Sequence, residues 1–187
     1  MKIILASNSP RRKELLTAHG ISFDVIPSNV LEELDSNLNP SENVMSLAKQ
    51  KALDVYKKCQ KVSILAADTV VVYNSQILGK PIDENDAFRM LRLLSGNTHE
   101  VITGVAFISA TGIKTSYETS RVTFKEISDQ EILEYIKSGE PMDKAGSYAI
   151  QGIGSKFIEK YEGEFDNIVG LPMKLVLRMI DNKKAID

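Results

Sequence analysis

Ile64-Leu65-Ala66-Ala67-Asp68-Thr69-Val70-Val71-Val72-Tyr73 is apolar almost throughout, and its second half is rich in β-branched side chains. A short continuous apolar run of this kind reads as a strand covered on both faces, the pattern of a central strand in an α/β sheet. Asn74-Ser75 follows as a turn that sends the chain back through residues 76–78. Upstream, residues 41–58 set Val44, Leu47, Ala48, Ala52 and Val55 on one helical stripe. A polar stretch at 28–40 separates that helix from a strand at 23–26, a helix at 10–18 and a first strand at 2–6. Downstream, Asp83 is the N-cap of a helix with Ala87, Met90, Leu91 and Leu94 on one face. Two long strands, 101–109 and 114–125, form a hairpin around Thr111-Gly112. A helix at 129–137, a loop at 139–146, strands at 148–151 and 157–161 and a closing helix at 171–182 complete the pattern. Strands alternating with helices, together with the hairpin, predict an α/β protein whose mixed twisted sheet is flanked by helices.

With 187 residues and 43% hydrophobic content, the chain is long enough for one well-buried core or two lobes, and a single globular unit is expected. The formal net charge of −2 supplies no basic field, so nucleic-acid and membrane-surface binding are not expected, and any anion site must be local. Cys59 is the single cysteine and has no Cys or His near it at metal-ligand spacing, which suits a reducing compartment. The apolar start at 3–6 is too short for a secretory signal core, and no apolar run reaches membrane-spanning length. A soluble cytoplasmic protein is the expectation.

Several side chains look chemical. In Ser7-Asn8-Ser9-Pro10-Arg11-Arg12 a strand turns into a helix, with Ser9 suited to the N-cap and Pro10 to the first helical position. Free N–H groups in a first turn favour acidic neighbours, yet here Arg11 and Arg12 add two guanidinium groups. A phosphate held by the helix start and the arginines resolves that conflict; simple solvation, at a cost of about a few tenths of a kcal/mol, is the alternative. Asp68, set among apolar neighbours, needs a metal, a cation or N–H partners, and reads as a metal ligand or general base unless it caps a strand end. Lys51 falls on the apolar stripe of its helix, so it faces inward or snorkels at the stripe's edge. Lys80, between Gly79 and Pro81, sits in a tight turn that either aims its ammonium at a phosphate or leaves it solvated. Glu32 and Glu33 lie in a polar loop, where a solvated acidic pair is the simplest reading. Gln151 ends a short apolar strand, and its amide, both donor and acceptor, suits a nucleobase edge. His19, at a helix C-terminus, and His99, ahead of a strand, form no catalytic triad. The glycines of AGSYAIQGIGSK, residues 145–156, match neither a Walker A loop nor a dinucleotide fingerprint.

Taken in order, SxSPRR at 7–12, LAxxKA at 47–52, AADTVV at 66–71, GKP at 79–81, LSG at 94–96, TGVA at 103–106, DKAGSYAIQG at 143–152 and VGLP at 169–172 closely resemble the Maf family of nucleoside triphosphate pyrophosphatases. The resemblance runs from residue 5 to residue 172, nearly the whole chain, and the ordered combination is far more specific than any one motif. It implies a single Maf-like domain with a fold like that of inosine triphosphate pyrophosphatases, two lobes around a cleft, and a homodimer. It also implies a hydrolase that cuts a nucleoside triphosphate between its α and β phosphates, with magnesium or manganese as divalent cofactor. Asp68 falls at the family's proton acceptor and Glu32 at the carboxylate that helps hold the metal or water. Leu31 occupies a place that is often acidic, which leaves Glu32 a better match than Glu33. Ser7, Arg12, Lys51 and Lys80 fall at phosphate-binding positions.

Arg11, Thr69 and Gln151 fall where the family separates dTTP/UTP enzymes from a relative acting on 7-methyl-GTP. SPRR, ADT and AIQG look like the dTTP/UTP subgroup, with Thr69 and Gln151 reading the pyrimidine's O4 and N3–H. In the mechanism this implies, the metal, Arg12, Lys51 and Lys80 spread the triphosphate's charge while Asp68 positions or deprotonates a water, so no histidine or cysteine nucleophile is needed. Modified pyrimidine nucleotides such as pseudo-UTP and 5-methyl-UTP, with nucleotide-pool cleansing as the role, fit the same resemblance. The alternatives it leaves are the 7-methyl-GTP enzyme and a non-catalytic nucleotide-binding regulator of septum formation and cell division arrest.

Overall fold

In the computed structural model, which describes residues 3–59 and 62–181, strand β1 (Ile3–Leu5) pairs in parallel with both β2 (Phe23–Val25) and β3 (Ser63–Tyr73). Helix α1 (Pro10–Ala18) connects β1 to β2, and α2 (Pro40–Lys58) connects β2 to β3. The first crossover runs from β1 to one neighbour and the second returns from β2 past β1 to its other neighbour, and in open α/β sheets ligands bind beyond the carboxyl ends of strands where the order reverses in this way. Strand order is β2-β1-β3-β5-β6-β7 in a seven-stranded sheet, with β5 (Thr98–Ser109), β6 (Gly112–Phe124) and β7 (Ile158–Glu162), and β4 (Gln76–Leu78) pairing antiparallel with β3. The mixed sheet flanked by helices that the hydrophobic pattern predicts is thus observed.

The chain divides into two compact units. The first comprises Met1–Thr69, Thr103–Glu118 and Gly170–Asp187. Its long helix α2 is set by local chemistry: Asn39 accepts the Glu42 N–H at 3.0 Å while Glu42 accepts the Asn39 N–H at 2.9 Å, a reciprocal cap ahead of Pro40. Ala48, Ala52 and Val55 of α2 pack on Ile4, Ala6, Ile64 and Ala66. Gly104 on β5 lets the N-terminal turn of α2 lie against the sheet, because a Cβ there would fall 2.5 Å from the Val44 carbonyl oxygen.

The second unit comprises Val70–Ile102 and Thr119–Val169. Helices α3 (Glu84–Leu94) and α4 (Asp129–Lys137) bring Leu91, Leu94, Ile132 and Tyr135 into a core with Val122, Phe124 and Phe157. His99 lies inside β5 and is 2% exposed, in place of the polar position ahead of a strand that the sequence suggests. Its ring makes edge contacts with Phe124 and Tyr148, and the Tyr148 hydroxyl is 2.8 Å from Nε2.

The strand expected at 148–151 does not form. Gly146, Ser147 and Gly152 have φ values of 66, 62 and 131°, so the chain leaves the extended region on both sides of the run and instead forms 3-10 turns at Ala145–Ser147 and Ile153–Phe157. Tyr148 and Ala149 are buried all the same, which is why their apolar character imitates a strand. The closing helix expected at 171–182 does form, preceded by a short helix that the sequence pattern does not indicate. Helix α5 (Phe165–Val169) stops before Gly170, whose φ is 120°, and α6 (Met173–Asp181) begins after Pro172. Lys2 of the expected first strand and Asn182 of the expected last helix lie outside the described residues. Among the described residues no helix is long and apolar enough to cross a membrane.

Candidate functional site

Because β1 and β3 run parallel, the end of β1 delivers Ala6 and Ser7 beside the middle of β3, and the Ala6 N–H donates to the Leu65 carbonyl at 2.8 Å. Beyond that point β3 carries Asp68 and Thr69, and alternate residues of a strand face opposite ways. Ile64 and Ala66 pack against α2, so Asp68, in phase with them, faces α2 as well. Lys51 is three residues after Ala48 and four before Val55, on the same helical face. Its Nζ donates to Asp68 Oδ1 at 2.6 Å and to Glu32 Oε1 at 2.7 Å. Lys51 therefore faces inward, Asp68 has the cation its burial demands, and Glu32 is the member of the acidic pair that joins it.

The two ion pairs differ in environment. Asp68 and Lys51 are 6% and 8% exposed, whereas the Glu32 side chain keeps 43% exposure. A buried charge left without its partner is costly, while a pair at the rim contributes little.

Thr69 serves the other face. Its hydroxyl accepts from Arg12 Nη2 at 3.2 Å and lies 3.0 Å from the hydroxyl of buried Thr103. Arg12 also donates from Nη1 to Ser7 Oγ at 3.2 Å and from Nε to the Gly170 carbonyl at 2.8 Å. Burial lowers the Arg12 pKa; the negative charges of Asp68 and Glu32 oppose that shift, and the neighbouring Arg11 adds to it. Three of the five guanidinium N–H groups thus hold the plane in place, with one each on Nη1 and Nη2 outside these bonds. Ser9 occupies the N-cap of α1 as expected, but its side chain caps nothing; instead the Ser9 N–H donates to Ser7 Oγ at 3.2 Å.

The structure thus joins Ser7, Arg12, Glu32, Lys51, Asp68 and Thr69 within the first unit. Arg11 is half-buried and felt by Arg12 as a like charge. Lys80 and Gln151 belong to the second unit and are both exposed, Gln151 in a loop and not at the end of a strand. Thr103 and Gly170, which the residue-by-residue reading did not single out, complete the Arg12 cradle. Their signals are present in TGVA and VGLP, but a threonine within an apolar strand and a glycine ahead of Leu-Pro show no chemistry until their partners are known.

As a donor set, Asp68 and Glu32 offer hard carboxylate oxygens, the ligands magnesium and manganese take. Among the described residues no three His, Cys, Asp or Glu side chains converge as a cation cage. Two carboxylates completed by phosphate oxygens are the usual way magnesium is held at nucleotide sites, and these residues fit that pattern.

The family model described as Maf-like protein matches residues 2–183. The chain belongs to this family. Among Maf-like relatives, the dTTP/UTP pyrophosphatase of Bacillus pumilus is 47% identical over 180 residues, covering 96% of this chain and 95% of the relative. The dTTP/UTP pyrophosphatase of Caldicellulosiruptor saccharolyticus is 51% identical, over 92% of this chain and 89% of the relative. That of Bacillus cereus strain ZK / E33L is 52% identical, over 95% and 93%. Among solved structures, the Staphylococcus aureus Ham1 protein is similar at a TM-score of 0.49 and 12% identity, over 98% of this chain and all of that one.

Proposed function

We propose that this Maf-like chain hydrolyses dTTP and UTP to the nucleoside monophosphate and pyrophosphate with a divalent cation, magnesium or manganese. The observation that carries the reading is the Lys51 bridge to Asp68 and Glu32, placed beside the Arg12 cradle in a chain about half identical to dTTP/UTP pyrophosphatases. Asp68 and Glu32 would hold the cation, which when bound supplies neutralising charge to the triphosphate oxygens.

The residues divide the work. Arg12, fixed through three donors, and Ser7 present N–H and O–H groups to phosphate oxygens, and Lys51 and Lys80 add positive charge. Asp68 takes a proton from water as the water oxygen bonds to the α-phosphorus. The bond from that phosphorus to the α–β bridging oxygen breaks, and its electron pair leaves with pyrophosphate. Lys51 keeps the Asp68 carboxylate aimed before substrate arrives, so positioning and charge stabilisation carry the catalysis. Thr69 and Gln151 read the pyrimidine's O4 and N3–H, and Arg11 takes part in the choice of base. Pseudo-UTP and 5-methyl-UTP, which keep that edge, are substrates in the same reading, and a homodimer is its assembly. Clearing such nucleotides from the pool and cell division arrest are the cellular roles in the same reading.

The test is Asp68→Asn assayed for pyrophosphate release from dTTP with magnesium. A fall of at least about a hundredfold is expected for loss of a general base; turnover near the wild-type rate rejects the role given to Asp68. The same assay run on dTTP and 7-methyl-GTP side by side tests the base preference, and an equal or reversed preference rejects the pyrimidine assignment.

A further inference from the structure

The glycines at 152 and 154 belong to no phosphate-binding loop, and the structure gives another reason for them. Glu140 Oε2 accepts the Ile153 N–H at 3.0 Å, and Oε1 accepts the Gly154 N–H at 3.0 Å and the Tyr135 hydroxyl at 2.7 Å. A Cβ on Gly152 would fall 2.6 Å from Glu140 Oε2, and one on Gly154 would fall 2.6 Å from the Tyr135 hydroxyl oxygen. Both glycines thus make room for a carboxylate and its escort. The turn is closed from within by Ser155, whose N–H and hydroxyl donate to the Gly152 carbonyl at 3.2 and 2.6 Å. Convergent N–H groups of this kind bind anions, and here the anion is the chain's own.

We propose that Glu140, seated by Tyr135, is a positioning residue for base selection: it anchors the backbone turn from which Gln151 presents its amide to the pyrimidine. The inference rests on the reading of Gln151 as the base-contacting residue. The two anchored N–H groups follow Gln151 by two and three residues, so their direction fixes the path of the chain at Gln151 itself. Burial alone would raise the Glu140 pKa, but the Gly154 and Ile153 N–H groups, the Tyr135 hydroxyl and the charge of Lys144 outweigh it and hold the carboxyl below its ordinary range. Hydrogen bonds to an ionised acceptor are about twice as strong as neutral ones, which suits an anchor. Tyr135 is itself 1% exposed in the core of the second unit, so the anchor is tied to a buried side chain of α4.

The decisive variant is Glu140→Gln, which keeps the shape but turns an N–H group of its amide toward a backbone N–H. Amide exchange should speed by about tenfold at residues 152–155, the KM for dTTP should rise by about tenfold, and kcat should stay within about twofold, since one charged hydrogen bond is at stake. The preference for dTTP over GTP should narrow as well. In a cycle with Gln151→Ala, the two effects on KM should fail to multiply, because both act through one contact. Tyr135→Phe should move the same readouts less, and it carries the comparison if Glu140→Gln does not fold. Unaltered exchange at 152–155, full multiplication in the cycle, or a lowered Tm with KM and preference unchanged would each overturn the proposal. If Gln151→Ala alone leaves nucleotide preference intact, the base-reading role of Gln151 falls, while the exchange measurement still decides whether Glu140 anchors the turn.

Discussion

Replacing Lys51 by Met isolates what the buried ammonium does. Met keeps much of the apolar stem that Lys51 contributes to the buried face of α2 but removes the charge that meets Asp68 at 2.6 Å. Asp68, 6% exposed, is then an unpaired carboxylate inside the protein. Breaking a buried pair in this way costs about 3–5 kcal/mol. The lost contact to Glu32, whose side chain is 43% exposed, adds less than about 1 kcal/mol. For a chain of this size each kcal/mol shifts Tm by roughly 2–4 °C, so a drop of roughly 6–20 °C is expected at pH 7 without nucleotide. The burden should fall mainly on Asp68: adding Asp68→Asn to Lys51→Met removes the stranded charge and should restore about half or more of the lost stability, although neither variant should release pyrophosphate. Thermal unfolding of the wild type, the two single variants and the double variant completes the cycle. Should the double variant be as unstable as the summed singles, Lys51 would be stabilising α2 by packing, and the account of a charge held ready for catalysis would be wrong.

Three other perturbations test separate parts of the account. Gly104→Ala puts a methyl group within 2.6 Å of the Met45 nitrogen and closer still to the Val44 carbonyl carbon; α2 must shift, at a cost of about 1–3 kcal/mol, and because α2 carries Lys51 pyrophosphate release should fall with Tm. His99 is held to a pKa of about 3 by burial, below its ordinary 6.5. The unfolded chain therefore binds the extra proton first, and stability fully present above pH 6.5 is lost as pH falls toward 3 at up to about 1.4 kcal/mol per pH unit. Urea titrations at pH 6.5 and 5.0 should show a loss of about 2 kcal/mol that His99→Gln abolishes; an unchanged difference in that variant would remove His99 as its source. Arg11→Trp should shift preference from dTTP toward 7-methyl-GTP while leaving the magnesium dependence of the rate as it was, and a changed metal requirement with unchanged preference would reverse the assignment.

The sequence reveals those features whose physical cause is local. An apolar run with β-branched residues at 64–73 and a stripe from Val44 to Val55 each carry their own signature, and β3 and α2 form where those signatures fall. Lys51 and Asp68 are conspicuous for a related reason: each is a charge where the pattern asks for an apolar side chain, which requires a partner without saying which one. What the chain does not reveal is set by distant contacts. Tyr148 and Ala149 look like strand residues because they are buried, but the φ values of Gly146, Ser147 and Gly152 decide their path. His99 looks polar by its neighbours, and only the approach of Phe124 and Tyr148 makes it a core residue. Glu140 has no local distinction at all, because its partners come from a preceding helix and a later turn.

The alternation of β3 also bears on how charge is distributed before substrate arrives. Asp68 faces α2 and is paired with its lysine, while Thr69, one residue on, faces Arg12, so Arg12 meets a hydroxyl and feels the Asp68 charge without bonding to that carboxylate. Had Asp68 occupied position 69, Arg12 would meet a carboxylate in place of a hydroxyl and lose its freedom to hold a phosphate. Within the first unit the cations Arg11, Arg12 and Lys51 exceed the carboxylates Asp68 and Glu32 by a single charge. A triphosphate brings several negative charges, far more than that surplus offsets. In the proposed mechanism a divalent cation arriving with the nucleotide would offset much of the difference, with the two carboxylates as its ligands. Chelation with EDTA should therefore abolish pyrophosphate release while leaving Tm unaltered, since Lys51 already pairs with Asp68 in the resting protein. A fall in Tm on chelation would show instead that the fold itself depends on the metal.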